Sequence, residues 1–397
     1  MTARYLYMYE RMKSMKIFPT ILLVVSLMLS GCTPTGSTAP DTHIGAQTEA
    51  ETKAISELKP LGRTYEENGT LWLGFSGSGA EFTFKGKKLS VTIAGDSTAE
   101  GGDENSQARI AIFVNGERQT DDMINESEKV YQVIDESTEQ TADIRIVKLS
   151  ESANSLCGIK SVDCDGTISP ALERAMKIEF IGDSITCGYG VDDEVKEHHF
   201  STKTEDCTKA YAVKTAEKLD ADYSLVSLSG HGIISGYSDG KVQQKNQVMS
   251  RYYDKFGFSY GTFGNSQKAF SVPWDHSSFE PDVIVINLGT NDASWCKQEE
   301  DRLDSFTEKY REFLAHLREV HPDAKIVCTL GIMGEDLYPW IELAVQQYTE
   351  ETGDKNVYTM KFDQQDMNDG IAADWHPSEK THEKAAEKLA GFIKEIS

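Results

Sequence analysis

The hydrophobic period of the chain changes near Pro170, and that change limits the folds open to it. Before it, short runs such as "GTLWLGFSG", "AEFTFKG", "KLSVTIAG" and "ARIAIFVNG" alternate apolar with polar residues. Gly, Asn and Asp separate them at short intervals, the spacing of an all-β sandwich. "VNGER" at 114–118 is a hairpin turn, because Asn-Gly accepts positive φ at both central positions. After Pro170, compact apolar strands alternate with amphipathic segments: "KIEFIG", "YSLVSLSG", "DVIVINLG", "KIVCTLG" and "NVYTMKF" are interleaved with stretches such as "DRLDSFTEKYREFLAHLREV". Strands apolar on both faces, each followed by a helical pattern, predict a parallel sheet covered on both sides. The expected class is therefore α/β at residues 176–397, preceded by an all-β sandwich at 60–169.

The N-terminus carries a separate signal. A basic start and an apolar run from Ile17 to Leu29 lead into Leu29-Ser30-Gly31-Cys32. The run is short for a bilayer span and suits a secretory signal peptide. Its ending resembles a bacterial lipobox, which implies removal of residues 1–31 and lipidation of Cys32. Residues 32–59, rich in Thr, Ala, Ser and Glu, read as a flexible tether. The expected location is the extracellular face of the bacterial cell membrane, with the lipid as the only membrane contact. The net charge of −24 argues against nucleic acid, which needs clustered cations. Of the remaining cysteines, Cys157 with Cys164 or Cys187 with Cys207 would suit disulfides in that compartment, with buried free thiols as the alternative. No Cys-x-x-Cys pair exists, and the adjacent His198 and His199 lack a third ligand, so neither a metal nor a cofactor is expected.

Ligands of open α/β sheets bind beyond the carboxyl ends of the strands, and the strand ends hold a consistent set. Gly182-Asp183-Ser184 follows the first strand, Ser229-Gly230-His231 the second, Gly289-Thr290-Asn291-Asp292 the third, and Asp374-Trp375-His376-Pro377 the fifth. A strand-end serine needs a base to become a nucleophile, and His376 can serve, oriented by a carboxylate or a carbonyl. The N–H groups of Ser184 and Gly230 and the Asn291 amide are candidate oxyanion donors. A second Gly-Asp-Ser at 95–97 lies in the β region with no strand-end partner, so Ser97 reads as a turn residue.

These four blocks in this order resemble the SGNH (GDSL-like) hydrolase superfamily over residues 176–397. With the preceding β region, they look like carbohydrate esterase family two, in which a jelly-roll joins an SGNH domain. That resemblance implies a serine esterase removing O-acetyl groups from plant polysaccharides or sugars, similar to acetyl xylan esterases, with an acetylated carbohydrate as partner. It also implies Ser184 as nucleophile, His376 as base and Trp375 as a sugar platform. Asp374 stands two residues before His376, not the three usual in the superfamily, where this chain has Ala373. That spacing leaves Asp374 or a main-chain carbonyl to orient the ring. Trp295, soon after Asn291, is a further candidate for the cleft. The other functions compatible with the sequence are an SGNH lipase or thioesterase, or a surface carbohydrate-binding lipoprotein.

Overall fold

The computed structural model describes residues 50–397. The signal segment, the lipobox Cys32 and most of the tether lie outside the described residues. Ten strands between Glu51 and Pro170 form one antiparallel sheet. Two of them, Gly79–Gly95 and Glu128–Lys148, are long and bend at irregular registers beside Gly86 and Leu89. Phe82 and Phe84 before the bend, and Leu89, Val91 and Ile93 after it, enter the same core. A bulge shifts the alternation by one residue, so both halves of the strand face inward.

The β domain begins earlier than its alternation predicts. Glu51–Thr52 pairs with Cys164 and Asp163, Lys59–Leu61 pairs with the long strand, and Leu58 is buried in the core. Residues 51–59 therefore belong to the β domain, with strands at both ends of a 3-10 turn, and not to a tether. They escape detection because a two-residue exposed edge strand carries no apolar pattern. The six cysteines from Cys157 onward are buried and free. Cys157 and Cys164 open and close one strand, which separates them by about 20 Å at the rise of an extended chain.

Five parallel strands build the second sheet: Met176–Gly182, Ala221–Ser227, Val283–Asn287, Lys325–Ile332 and Val357–Gln364. Their spatial order is second, first, third, fourth, fifth. The order reverses between the first and third strands, and a crevice opens at such a switch point. Helices Tyr211–Lys218, Glu300–Val320, Tyr338–Thr352 and Glu379–Ile396 cover the sheet where the amphipathic segments predict them. The crossover from Ser227 to Val283 differs, for it contains only single 3-10 turns. Its apolar residues Phe256, Phe263, Ala269 and Val272 pack instead on Trp72, Ala94 and Leu156 of the β domain.

Ion pairs stitch the same junction. Arg109 bridges Asp121 and Asp192 at 2.7 Å each, Arg118 reaches Asp206 at 2.7 Å, and Lys59 reaches Asp222 at 2.6 Å. Arg63 is fully buried, bonded to the Lys255 carbonyl at 2.8 Å and the Tyr253 carbonyl, and 3.4 Å from Glu179 on the first parallel strand. The rings of Tyr253 and Trp274 flank its guanidinium. Removing one partner of a buried pair strands the other charge, at about 3–5 kcal/mol. Arg63→Ala is expected to lose stability on that scale in urea unfolding, with both domains melting together. A loss below about 1 kcal/mol, the scale of an exposed pair, would show that Arg63 does not hold the junction.

Candidate active site

Ser184 opens a four-residue helix, Ser184–Cys187, directly after the first parallel strand. Asp183 caps it, its carboxylate accepting the Ile185 N–H at 3.1 Å. Gly182 is required because a Cβ there would lie 2.0 Å from Thr186 Oγ1. Nε2 of His376 lies 2.9 Å from Ser184 Oγ, the distance at which the ring can take the hydroxyl proton. The other nitrogen, Nδ1, faces the Ala373 carbonyl at 3.1 Å.

The geometry thus selects the main-chain carbonyl as the orienting group. The Asp374 carboxylate turns away from the ring, accepting from the Tyr189 hydroxyl and lying 2.9 Å from His199 Nδ1. The reason is local backbone: Asp374 and Trp375 both occupy the left-handed region, at φ 49° and 64°. Such strain in non-glycine residues persists only where the surroundings enforce it. Here the Asp374 N–H donates to the His198 carbonyl at 2.9 Å, and Ile371 bridges Pro377 to close the turn. The turn aims the Ala373 carbonyl at the imidazole and presents Trp375 outward, 51% exposed, with Lys196 Nζ over its ring at 4.3 Å. Tyr189 lies flat on the His376 ring, centroids 3.9 Å apart. No sequence pattern marks Tyr189, since its contact depends on two distant loops meeting.

Gly230, at φ 75°, has open space where a Cβ would be. Its loop is clamped by Asp292, which accepts the N–H groups of Ile233, Ile234 and Ser235 at 2.7–3.0 Å. Asn291 Nδ2 lies 2.9 Å from the His231 carbonyl and 3.1 Å from Asp183 Oδ2. The amide sits beside the nucleophile turn, and its hydrogens are held by these two acceptors. Trp295 is half-buried and packs against the apolar core, with the Arg302 guanidinium 3.8 Å over its ring. Ser97 is a turn residue, its hydroxyl accepting the Thr262 N–H at 2.8 Å.

Burial sets the electrostatics. It raises Asp183 to about 7, with Asp292 adding to the effect, and raises Asp292 to about 6 against its three N–H donors. Burial lowers His376 to about 4, only partly opposed by the Ala373 carbonyl and the Asp374 charge. Burial works against ionised Asp374, yet Tyr189 and His199 hold it below the usual carboxylate range. Among the described residues, the donor atoms of Glu151, Cys187 and Glu205 lie close enough together to hold a metal ion. Burial keeps the Cys187 thiol protonated there; it also lowers Lys148 and raises Glu205 and Glu151, against the attraction between the amine and the two acids.

The profile of the GDSL-like lipase/acylhydrolase family matches residues 178–389, spanning all four strand-end blocks. The chain belongs to that family. A second profile, the N-terminal domain of carbohydrate esterase family 2, matches residues 61–171. A cellulase/esterase of Acetivibrio thermocellus is 33% identical over 81% of this chain, and the chain spans only 37% of that relative's length. An acetylxylan esterase/glucomannan deacetylase of Cellvibrio japonicus is 26% identical, covering 96% of this chain and 98% of the relative. Among solved structures, a family two carbohydrate esterase from Clostridium thermocellum in complex with cellohexaose superposes at a TM-score of 0.73. It is 28% identical, with 85% of this chain and 98% of that one covered. An acetyl xylan esterase from Butyrivibrio proteoclasticus, at 24% identity, covers 88% and 98% with a TM-score of 0.78 and shares the fold.

A base works in its neutral form, so a lowered pKa moves the acid limb of the rate downward. The kcat/KM on a soluble aryl acetate is expected to rise as pH rises through about 4 and to be flat from pH 6 to 8. A midpoint at 6.5 or above would show a solvated, differently held ring. Substituting a carboxylate that orients the ring directly costs about 10⁴-fold in kcat. Asp374→Asn, lacking that contact, is expected to cost about tenfold or less and to leave the limb no higher in pH.

Proposed function

We propose that this protein is a serine esterase that removes O-acetyl groups from plant cell-wall polysaccharides or their fragments. The observation that carries the reading is the 2.9 Å contact between Ser184 Oγ and a neutral His376, set beside an exposed Trp375. His376 Nε2 takes the serine proton as Oγ attacks the acetyl carbonyl carbon. The oxyanion that forms is met by the Ser184 and Gly230 N–H groups and by Asn291, whose amide exchanges one present acceptor for it. The tetrahedral adduct collapses as His376 passes its proton to the departing sugar oxygen, which leaves as the free hydroxyl. Water, deprotonated by the same ring, then releases acetate and frees Ser184.

Carbohydrate as the alcohol part is supported by aromatic surface near the site. Phe258 lies 6.3 Å from the His231 ring and packs under Phe270 and Tyr260, which are 42% and 63% exposed. Flat rings stack on the apolar faces of sugars, and the charge of −24 disfavours anionic polymers. Acetate release across acetylated xylan, glucomannan and simple sugar acetates tests the reading. Trp375→Ala is expected to raise KM on the polymers several-fold and to leave aryl acetate turnover nearly unchanged. Hydrolysis of long-chain acyl esters in preference to all acetylated glycans would overturn it.

The location proposed is the outer face of the cell membrane, through lipid on Cys32. The lipobox-like Leu29-Ser30-Gly31-Cys32 supports that reading, and no helix among the described residues is long and apolar enough to cross a membrane. Cys32→Ala is expected to release the protein to the medium in cell fractionation. Retention of that variant in the membrane would exclude lipid as the anchor.

A further inference from the structure

The loop that offers the Gly230 N–H is held from a direction its own domain does not supply. Ser229 N–H donates to Oε2 of Glu151 at 2.8 Å. Glu151 belongs to the β domain, in the turn between strands Glu128–Lys148 and Cys157–Cys164. It is buried, its own N–H is taken by Glu205 at 2.8 Å, and its carbonyl accepts from Lys148 Nζ at 2.9 Å. Glu205 and Lys148 are themselves fully buried. On the far side of Ser229, its carbonyl lies 3.0 Å from His231 Nδ1. The peptide bearing the Gly230 N–H is therefore held through its own carbonyl by His231, and the peptide just before it is held by Glu151. That pinning matters because glycine at φ 75° has no side chain to fix its own orientation.

Placing a carboxylate in such a site is costly, and burial raises the pKa of Glu151. A turn of the β domain needs no acid there for its own sheet. We infer that Glu151 is a positioning residue for the oxyanion loop, through which the β domain sets the alignment of the Gly230 N–H against Ser184. The inference rests on the serine esterase reading.

The test uses the full chain with Glu151→Gln, Glu151→Asp and Glu151→Ala. Measurements are kcat and KM on a soluble aryl acetate, inhibition by phenylboronic acid, and thermal melting, with sites counted by a serine-reactive phosphonate. Glutamine keeps an oxygen at the same reach and is expected to retain kcat within about threefold. Aspartate is one methylene short, and kcat should fall about 10–100-fold, less than the 10²–10³ of losing a donor outright. KM should barely move, and affinity for the boronate, whose tetrahedral adduct mimics the oxyanion, should weaken by a similar factor. Alanine should match or exceed that loss. Variants that melt earlier but keep kcat per titrated site and boronate affinity would show Glu151 to be structural and overturn the inference. If Glu151→Ala does not fold, the contrast between glutamine and aspartate decides. A wild type that neither hydrolyses the ester nor binds the boronate would sink the esterase reading and the inference with it. An active wild type with indifferent variants sinks the inference alone.

Discussion

The backbone between Ser227 and Val283 has no α-helix and almost no sheet in which to satisfy its N–H groups, and much of the structure answers that need. Buried peptide groups must find partners; many here find carbonyls of the crossover itself, and carboxylates on neighbouring elements add to them. Asp292 takes three N–H groups, Glu151 takes that of Ser229, and Glu67 takes that of Asn265. Two of these acceptors come from the β domain. An isolated α/β domain would leave this crossover with exposed apolar residues and unpaired peptides, which accounts for the β domain's sharing a core with it. The raised pKa values of Asp292 and Glu151 follow from the same arrangement, since the acceptors must be buried to reach the loop.

The same economy of charge governs the dyad. A carboxylate on Nδ1 would stabilise the imidazolium and hold His376 protonated over more of the pH range. The Ala373 carbonyl fixes the tautomer with a dipole only, so burial prevails and the ring stays neutral. Asp374 still contributes, one step removed. It holds the Tyr189 hydroxyl, and Tyr189 in turn lies flat on the imidazole. The strain at Asp374 and Trp375 delivers two things together, the carbonyl turned inward and the indole turned outward.

What the sequence disclosed and what it withheld divide by range. Strand ends, amphipathic helices and the four blocks are local or periodic signals, and Ser184, Gly230, Asn291 and His376 stand where those signals put them. Proximity to Asn291 in sequence does not fix the direction of Trp295, whose half-buried ring packs against the core beneath Arg302. Asp374 was undecided because two residues of spacing cannot report φ. Glu151 and Tyr189 had no local mark at all, since each acts across a tertiary contact with a distant loop. Residues 51–59 were hidden by their polarity, which an edge strand tolerates and a tether shares.

The repeated Gly-Asp-Ser shows why a tripeptide carries so little by itself. In both copies the aspartate does the same job: Asp96 accepts the Thr98 N–H at 2.9 Å, as Asp183 accepts that of Ile185 at 3.1 Å. The motif is turn chemistry, an acid bonding the backbone two residues on. In the first copy the serine that follows is spent on Thr262, joining the β domain to the crossover. In the second, the turn closes a parallel strand at the point where the sheet reverses, and a helix begins at the serine itself. Only there does the fold bring an imidazole to the hydroxyl. The chemistry of Ser184 thus comes from the sheet order and the strained turn at 373–376, while Gly-Asp-Ser supplies no more than the bend on which it stands.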